Sequence, residues 1–221
     1  MKVILTGASR GIGKGIARVL SKQGCQLGLI ARSEDALKNL AEILPNTSYR
    51  VADMQDPDAT ETAIAELIAE MGGVDALINN AALILKSPVD EISVEDWQAT
   101  MATNVNGPFY CTRAVIPSMK EQGSGHIVNI SSISGKLPLK GGSAYAASKY
   151  ALRGFSDSIF LELRDFGIKV TCVFPGSVDR DESADSWKLD PEEIGESIYH
   201  LLNTSPQNCI RELEIRPLRK P

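Results

Sequence analysis

Two side chains that can exchange protons, Tyr145 and Lys149, stand four residues apart in an alanine-rich helical pattern that begins near Ser143. This spacing places them one turn apart on the same helix face. A free tyrosine holds its proton up to about pH 10, but an ammonium about 4 Å away would favour the phenolate by roughly 4 kcal/mol. Such a phenol can act as a general acid near neutral pH. Ser132, at the end of the preceding strand pattern, could bond the group that Tyr145 protonates.

A packed tyrosine and a surface lysine on an ordinary helix would show the same spacing, so the surrounding elements must decide between the two interpretations. Short β-branched runs alternate with helical patterns at roughly 25–30 residues per unit, which predicts right-handed βαβ crossovers. The predicted strands are residues 2–6, 27–31, 47–52, 74–79, 126–130, 168–174 and 210–215. We predict an α/β, single-domain, Rossmann-like doubly wound fold over residues 1–221, with a seven-stranded, mainly parallel sheet and helices on both faces.

A glycine-rich turn, TGASRGIG, joins the first predicted strand to the first helix. Gly7 permits the tight turn, and Gly11 and Gly13 let the backbone and the helix approach a pyrophosphate at the helix N-terminus. A glycine-rich turn without a ligand is the alternative. The strand-to-helix context favours a dinucleotide site.

The end of the second predicted strand distinguishes between the two nicotinamide cofactors. An acid there would bond the ribose hydroxyls and repel a 2′-phosphate. The chain instead has Ala31-Arg32-Ser33, with no carboxylate before Glu34. Arg32 offers a planar fork for a phosphate, and Arg10 could approach it from the other side. The sequence therefore predicts NADP(H) rather than NAD(H), although Arg32 could also be a solvated residue at a helix start.

Composition limits the other function classes. The 221 residues are 43% hydrophobic and 23% charged, with a net charge of −5, which is ordinary for a soluble protein and argues against nucleic acid or an anionic membrane as the partner. No 18-residue apolar run occurs and a strand pattern begins at Lys2, so we expect neither a signal peptide nor a membrane span. The four cysteines and two histidines are scattered, which predicts reduced thiols, a cytoplasmic location and no metal site.

Taken together, these motifs resemble the short-chain dehydrogenase/reductase family in its compact single-domain form, over nearly the whole chain. The residues that carry the resemblance are the turn at 6–13, Asp53-Met54, Asn79-Asn80-Ala81-Ala82 in place of NNAG, Asn104 in Asn-Val-Asn-Gly, Ser132 thirteen residues before Tyr145, Tyr145-Ala-Ala-Ser-Lys149, and Pro175-Gly176. The resemblance implies cofactor contacts for Gly7, Ser9, Arg10, Gly11, Ile12, Gly13, Arg32, Asp53, Met54, Asn80, Tyr145, Lys149, Pro175, Gly176 and Val178. In the family, the acid at Asp53 contacts the adenine.

The resemblance also implies an NADP(H)-dependent oxidoreductase that transfers hydride between the nicotinamide and a small carbonyl or secondary alcohol substrate, as a carbonyl or 3-oxoacyl-type reductase. Tyr145 would protonate the carbonyl oxygen, Ser132 would donate a hydrogen bond to it, Lys149 would bond the ribose, and Asn104 would hold a water that links Lys149 to solvent. Two alternatives remain: a non-catalytic NADP(H)-sensing protein of the same fold, and an epimerase or dehydratase with a recycled cofactor.

The sequence departs from the family after Pro175. Arg180 stands where the family usually has a threonine; it could be solvated, or could meet a cofactor phosphate or an anionic substrate. Only about fifteen residues separate Pro175 from Pro191, where larger members carry a helical lid, so we expect an open site or one that depends on a partner subunit. Candidate substrate-facing residues, each of which could equally be packing, are Leu83, Ser134, Leu137 and Val178. In the family, the helices near 104–120 and 143–166 form a dimer contact, which predicts a homodimer or homotetramer.

Overall fold

The computed structural model describes residues 1–179 and 187–219, which form seven helices around a seven-stranded sheet. The strands are β1 Lys2–Thr6, β2 Gln26–Ala31, β3 Thr47–Val51, β4 Ala76–Asn79, β5 Gly125–Ile130, β6 Ile168–Pro175 and β7 Glu212–Ile215. Their spatial order is β3-β2-β1-β4-β5-β6-β7, and every neighbouring pair is parallel. The strand order reverses between β1 and β4, which is where doubly wound sheets bind their ligands. The predicted fold class is confirmed.

The helices cover both faces of the sheet. They are α1 Gly11–Lys22, α2 Glu34–Ile43, α3 Pro57–Met71, α4 Val94–Met101, α5 Gly107–Gln122, α6 Ser143–Leu163 and α7 Pro191–Leu202. A π-helical turn, Ala102–Asn106, joins α4 to α5, and a 3₁₀ turn, Ile133–Gly135, follows β5. No helix among the described residues combines the length and the apolar character that crossing a membrane requires.

Two apolar clusters, one on each face of the sheet, hold the layers together. Strand β1 shows how they form, because Val3 and Leu5 belong to one cluster and Ile4, between them, belongs to the other. Successive side chains of a strand point to opposite faces, and a strand covered on both faces must therefore be apolar throughout. The first cluster includes residues of α1, α2 and α7, and the second includes residues of α3, α5 and α6.

Two backbone hydrogen bonds join the residues that directly follow β6 to Leu189, which lies just before α7. The Asp179 N–H donates to the Leu189 carbonyl at 2.9 Å, and the Leu189 N–H donates to the Ser177 carbonyl at 3.0 Å. Helix α7 then begins with a capping box between Asp190 and Glu193, which satisfies backbone groups of its first turn. Arg180, for which the sequence left three roles open, lies outside the described residues.

Candidate active site

A cleft of about 770 Å³ opens beside the point where the strand order reverses. It collects most of the residues predicted to contact a cofactor. Those that line it are Gly7, Ser9, Arg10, Gly11, Ile12, Gly13, Arg32, Asp53, Met54, Asn80, Tyr145 and Lys149. The predicted dinucleotide turn and the predicted proton donor therefore share one cleft.

The glycine turn leaves no space for side chains. Gly7 and Gly11 have positive φ angles of 66° and 51°, a region that other residues rarely adopt. A Cβ on Gly13 would lie 2.1 Å from the Gly7 carbonyl oxygen, and a Cβ on Gly7 would lie 2.7 Å from the Cα of Ala81. Helix α1 has no side-chain cap at Arg10, so the N–H groups of its first turn are left for a ligand. Backbone, turn and helix end together fit a pyrophosphate.

Asn80 fastens this turn to β4. Its Nδ2 atom donates to the carbonyl oxygens of Thr6 and Gly7, both at 3.0 Å. The Thr6 hydroxyl oxygen in turn accepts from the backbone N–H groups of Asn80 and Ala81, both at 3.1 Å. These four bonds fix the distance between the ends of β1 and β4, and so hold the cleft open at its centre.

Two arginines line the cleft: Arg10, the N-cap residue of α1, and Arg32. Arg32 follows β2 directly, and its Nη1 atom lies 3.6 Å from Oδ2 of Asp53. Ser33 is the N-cap residue of α2, its side chain makes no capping bond, and it also lines the cleft. A hydroxyl, two guanidinium groups and a helix N-terminus form a suitable environment for a phosphate.

Tyr145 and Lys149 are both buried, with 5% and 2% of their surface exposed. The Nζ atom of Lys149 donates to the carbonyl oxygen of Ile130, the last residue of β5, at 2.8 Å. It lies 5.7 Å from the centroid of the Tyr145 ring. A buried ammonium is stable only where acceptors and compensating groups surround it, so the end of β5 and the first turns of α6 fix its position.

Asn104 is fully buried in the π-helical turn, and its side chain connects the loop after β4 to α6. Its Oδ1 atom accepts from the Leu83 N–H at 2.7 Å, and its Nδ2 atom donates to the Leu83 carbonyl at 2.9 Å and to the Ser148 hydroxyl at 3.0 Å. Ser148 donates in turn to the Tyr145 carbonyl at 2.7 Å. Asn104 therefore acts on the Tyr145 helix through its side chain, and π turns of this kind often lie at functional sites.

Ser132 caps the 3₁₀ turn after β5, and its hydroxyl oxygen accepts from the Ser134 N–H at 3.1 Å. That bond does not use the hydroxyl hydrogen. The neighbouring Ser131 lines the cleft and donates to the Lys149 carbonyl at 3.1 Å. Ser131 thus uses its hydroxyl hydrogen to hold α6, whereas the hydroxyl hydrogen of Ser132 is not used by its capping bond.

Five of the residues predicted to be catalytic or to contact the cofactor are not among the described residues that line the cleft. They are Asn104, Ser132, Pro175, Gly176 and Val178. Pro175 ends β6, the Gly176 N–H donates to the Ile215 carbonyl at 2.8 Å, and Val178 packs in the first apolar cluster. Among the substrate-facing candidates, Leu83 lines the cleft, Ser134 is buried, and Leu137 is half exposed. The roles of all these residues stay predictions.

The sequence prediction missed several lining residues, among them Ser33, Ala36, Ala52, Ile84, Thr103, Ile130 and Ser131. Most are small residues at strand or helix ends, where side-chain chemistry gives little signal. Ser33 was the one that could have been found, because a serine directly before a helix pattern favours an N-cap position with a hydroxyl near the helix N-terminus.

Cys172 lies beneath the site, on β6, and does not supply a nucleophile. Burial raises the pKa of its thiol to about 11, with nearby Ser156 and Lys149 acting in the opposite direction. A thiol of that kind stays protonated and inert at neutral pH. Cys172 is therefore not a candidate for nucleophilic or proton chemistry in the cleft.

Three comparisons with known proteins agree with this fold and indicate its family. The family described as short chain dehydrogenase matches residues 1–190. An uncharacterised oxidoreductase of Staphylococcus saprophyticus is 36% identical over 225 residues, covering 97% of this chain and 96% of the relative. The closed form of serine dehydrogenase complexed with NADP+ is similar with a TM-score of 0.90 and 33% identity, covering 97% and 94% of the two chains. An alcohol dehydrogenase from Thermococcus sibiricus, complexed with 5-hydroxy-NADP, has a TM-score of 0.93 and 27% identity, covering 100% and 98%.

Proposed function

Because the chain belongs to the short chain dehydrogenase family, whose matched relatives are named as oxidoreductases, we propose that it is an NADP(H)-dependent carbonyl reductase or alcohol dehydrogenase. One observation carries this proposal. The glycine turn and Arg32 lie in the same cleft as the buried pair Tyr145 and Lys149. A cofactor held by the glycine turn and Arg32 would extend towards Tyr145 and Lys149.

The phosphate-binding environment supports NADP(H) as the cofactor. Arg10, Arg32 and Ser33 all line the cleft, and Ser33 is the N-cap residue of α2. Guanidinium groups bind phosphate oxygens through paired, charge-assisted hydrogen bonds. The NADP complexes among the similar structures point in the same direction.

The nicotinamide, when bound, supplies or accepts the hydride. Tyr145 then gives its phenolic proton to the carbonyl oxygen of the substrate, or takes one from an alcohol in the reverse direction. The Ser132 hydroxyl donates a hydrogen bond to the same oxygen and stabilises the negative charge that develops there. The buried ammonium of Lys149 lies beside the Tyr145 ring and would bond the nicotinamide ribose.

Asn104 completes the set by positioning. Its side chain is used by Leu83 and Ser148, so we assign to its backbone the task of holding the water that links Lys149 to solvent. Pro175, Gly176 and Val178 would bound the nicotinamide end of the cleft, and Asp53 and Met54 the adenine end. All these assignments rest on the family resemblance together with the contacts given above.

We further propose one catalytic and dinucleotide-binding unit over residues 1–221, in the cytoplasm, that assembles as a homodimer or homotetramer. Exposed apolar side chains on α5 and α6 support the assembly, since Phe109 is 44% exposed and Leu161 is 61% exposed. These side chains would be covered if α5 and α6 packed against a second copy of the chain. Light scattering on the protein as it elutes from a size-exclusion column measures its molar mass. A monomer at micromolar concentration would contradict the proposal.

The test of the activity is NADPH oxidation against a panel of ketones, aldehydes and acyl-thioester ketones, with NADPH and NADH binding measured in parallel by fluorescence. We expect turnover on part of the panel and tighter binding of NADPH. Binding of NADPH without turnover on any member would favour the sensing protein instead. Tighter binding of NADH would overturn the cofactor assignment.

A further inference from the structure

The ion pair between Arg32 and Asp53 has a feature that cofactor binding alone does not explain. The two residues follow neighbouring parallel strands, since Ala31 of β2 pairs with Val51 of β3. Both line the cleft, and their charged atoms are 3.6 Å apart. A negative charge therefore stands next to the cation that is expected to bind a phosphate.

The two partners are held very differently. The Oδ1 atom of Asp53 accepts from the Gln55 N–H at 3.1 Å, and its backbone carbonyl accepts from the Thr60 hydroxyl at 3.3 Å. The side chain of Arg32, by contrast, is 64% exposed, and the Asp53 contact is its one ion pair among the described residues. A phosphate can draw the guanidinium away, whereas the carboxylate stays where its turn holds it.

We propose that Asp53 is a specificity-determining residue that moderates the preference for NADP(H) over NAD(H), an inference that rests on the proposed function. The carboxylate competes with the 2′-phosphate for Arg32, and its own charge repels that phosphate. An ion pair this exposed is weak, so the phosphate still gains the guanidinium. Only the cofactor with the additional phosphate experiences either effect.

Two other roles for Asp53 make different predictions. If its carboxylate only stabilises the turn or contacts the adenine, removing the charge changes the affinity for both cofactors by the same factor. If it orients Arg32 for the phosphate, removing the charge weakens NADPH binding selectively. Only competition makes the preference for NADPH stronger when the charge is removed.

The experiment compares Asp53→Asn with the wild-type chain. The amide oxygen can still accept from the Gln55 N–H, so the turn is kept. Dissociation constants for NADPH and NADH are measured by nicotinamide fluorescence at low salt. We expect the ratio of the NADH constant to the NADPH constant to rise about fivefold in the variant. Asp58→Asn, an exposed change of the same charge outside the cleft, should leave the ratio unchanged.

Two further measurements identify the cause. In an Arg32→Ala background, Asp53→Asn should have a smaller effect on the ratio, because the guanidinium for which the carboxylate and the 2′-phosphate compete is absent. At about 1 M salt, where screening acts over about 3 Å, the gain should largely disappear. A ratio that stays unchanged or falls overturns the inference. Failure of both NADPH and NADH to bind the wild-type chain would instead refute the proposed function.

Discussion

The Nζ atom of Lys149 lies 5.7 Å from the ring centroid of Tyr145, and the same ammonium donates to the carbonyl oxygen of Ile130 at 2.8 Å. The cation is thus held by the sheet while it lies beside the phenol on the helix. The position of the ammonium beside Tyr145 is therefore set by a contact within the protein itself.

Replacing the phenol with a plain ring removes the proton donor and leaves the packing unchanged. We expect Tyr145→Phe to lower kcat by about 100- to 10,000-fold, the range that general acid catalysis contributes, with NADPH affinity nearly unchanged. Tyr150→Phe, an exposed change five residues further along the same helix, is the matched control and should keep full activity. Wild-type turnover in Tyr145→Phe would remove this residue from the mechanism.

Arg32 should determine the affinity for the cofactor with the additional phosphate. Hydrogen bonds between charged partners contribute about 1.5–3 kcal/mol, so Arg32→Ala is expected to weaken NADPH binding by about 10- to 100-fold. Binding of NADH should change little. The control is Lys38→Ala, which removes the same charge from an exposed site on α2. Equal losses for the two cofactors would show that Arg32 does not read the phosphate.

Stability should fall in mild acid because of His126. Its Nε2 atom bonds the Thr171 hydroxyl at 2.8 Å, its Nδ1 atom is buried without a hydrogen-bond partner among the described residues, and burial, aided by Lys169, lowers its pKa to about 4. Between about pH 4 and 6.5 the unfolded chain therefore binds more protons at this site than the folded chain does. The free energy of unfolding should decline by roughly 3 kcal/mol as the pH falls through that window.

Urea unfolding at a series of pH values measures this slope. His126→Gln, which keeps a side-chain donor for Thr171, should flatten it between about pH 4 and 6.5. His200→Gln on α7 serves as the comparison and should not. An identical slope in all three chains would assign the acid sensitivity to other groups.

The apolar pattern predicted the strands and helices closely. Where a predicted boundary differs from the observed one, the cause is local. Strand β1 begins and ends where predicted, at Lys2 and Thr6. Strand β4 begins at Ala76 rather than Val74, because the backbone N–H and carbonyl of Val74 bond the Gln122 side chain. The apolar run therefore begins two residues before the hydrogen-bonded strand. An apolar pattern alone cannot show where the hydrogen bonding between strands begins.

The π-helical turn at Ala102–Asn106 was also not predicted, since the sequence favoured one regular helix from about Asn104. A single widened turn leaves the spacing of apolar residues almost unchanged. The convergence of the glycine turn, Arg32 and the Tyr145 helix could be predicted, because parallel strands bring their carboxyl ends to one edge. The sequence singled out Ser132 by its spacing from Tyr145, whereas nothing in the sequence marked Ser131, which lines the cleft.

The reversal of strand order between β1 and β4 separates two tasks along the chain. Most of the residues that we propose to hold the adenosine half of the cofactor directly follow β1, β2 and β3, whereas the proposed reactive groups come from the end of β5, from α6 and from the turn before α5. Redesign of the coenzyme requirement can therefore be confined to residues 7–54, leaving the substrate chemistry untouched. The same partition lets mutational libraries for the two properties be built independently and then combined by simple fusion of the two segments.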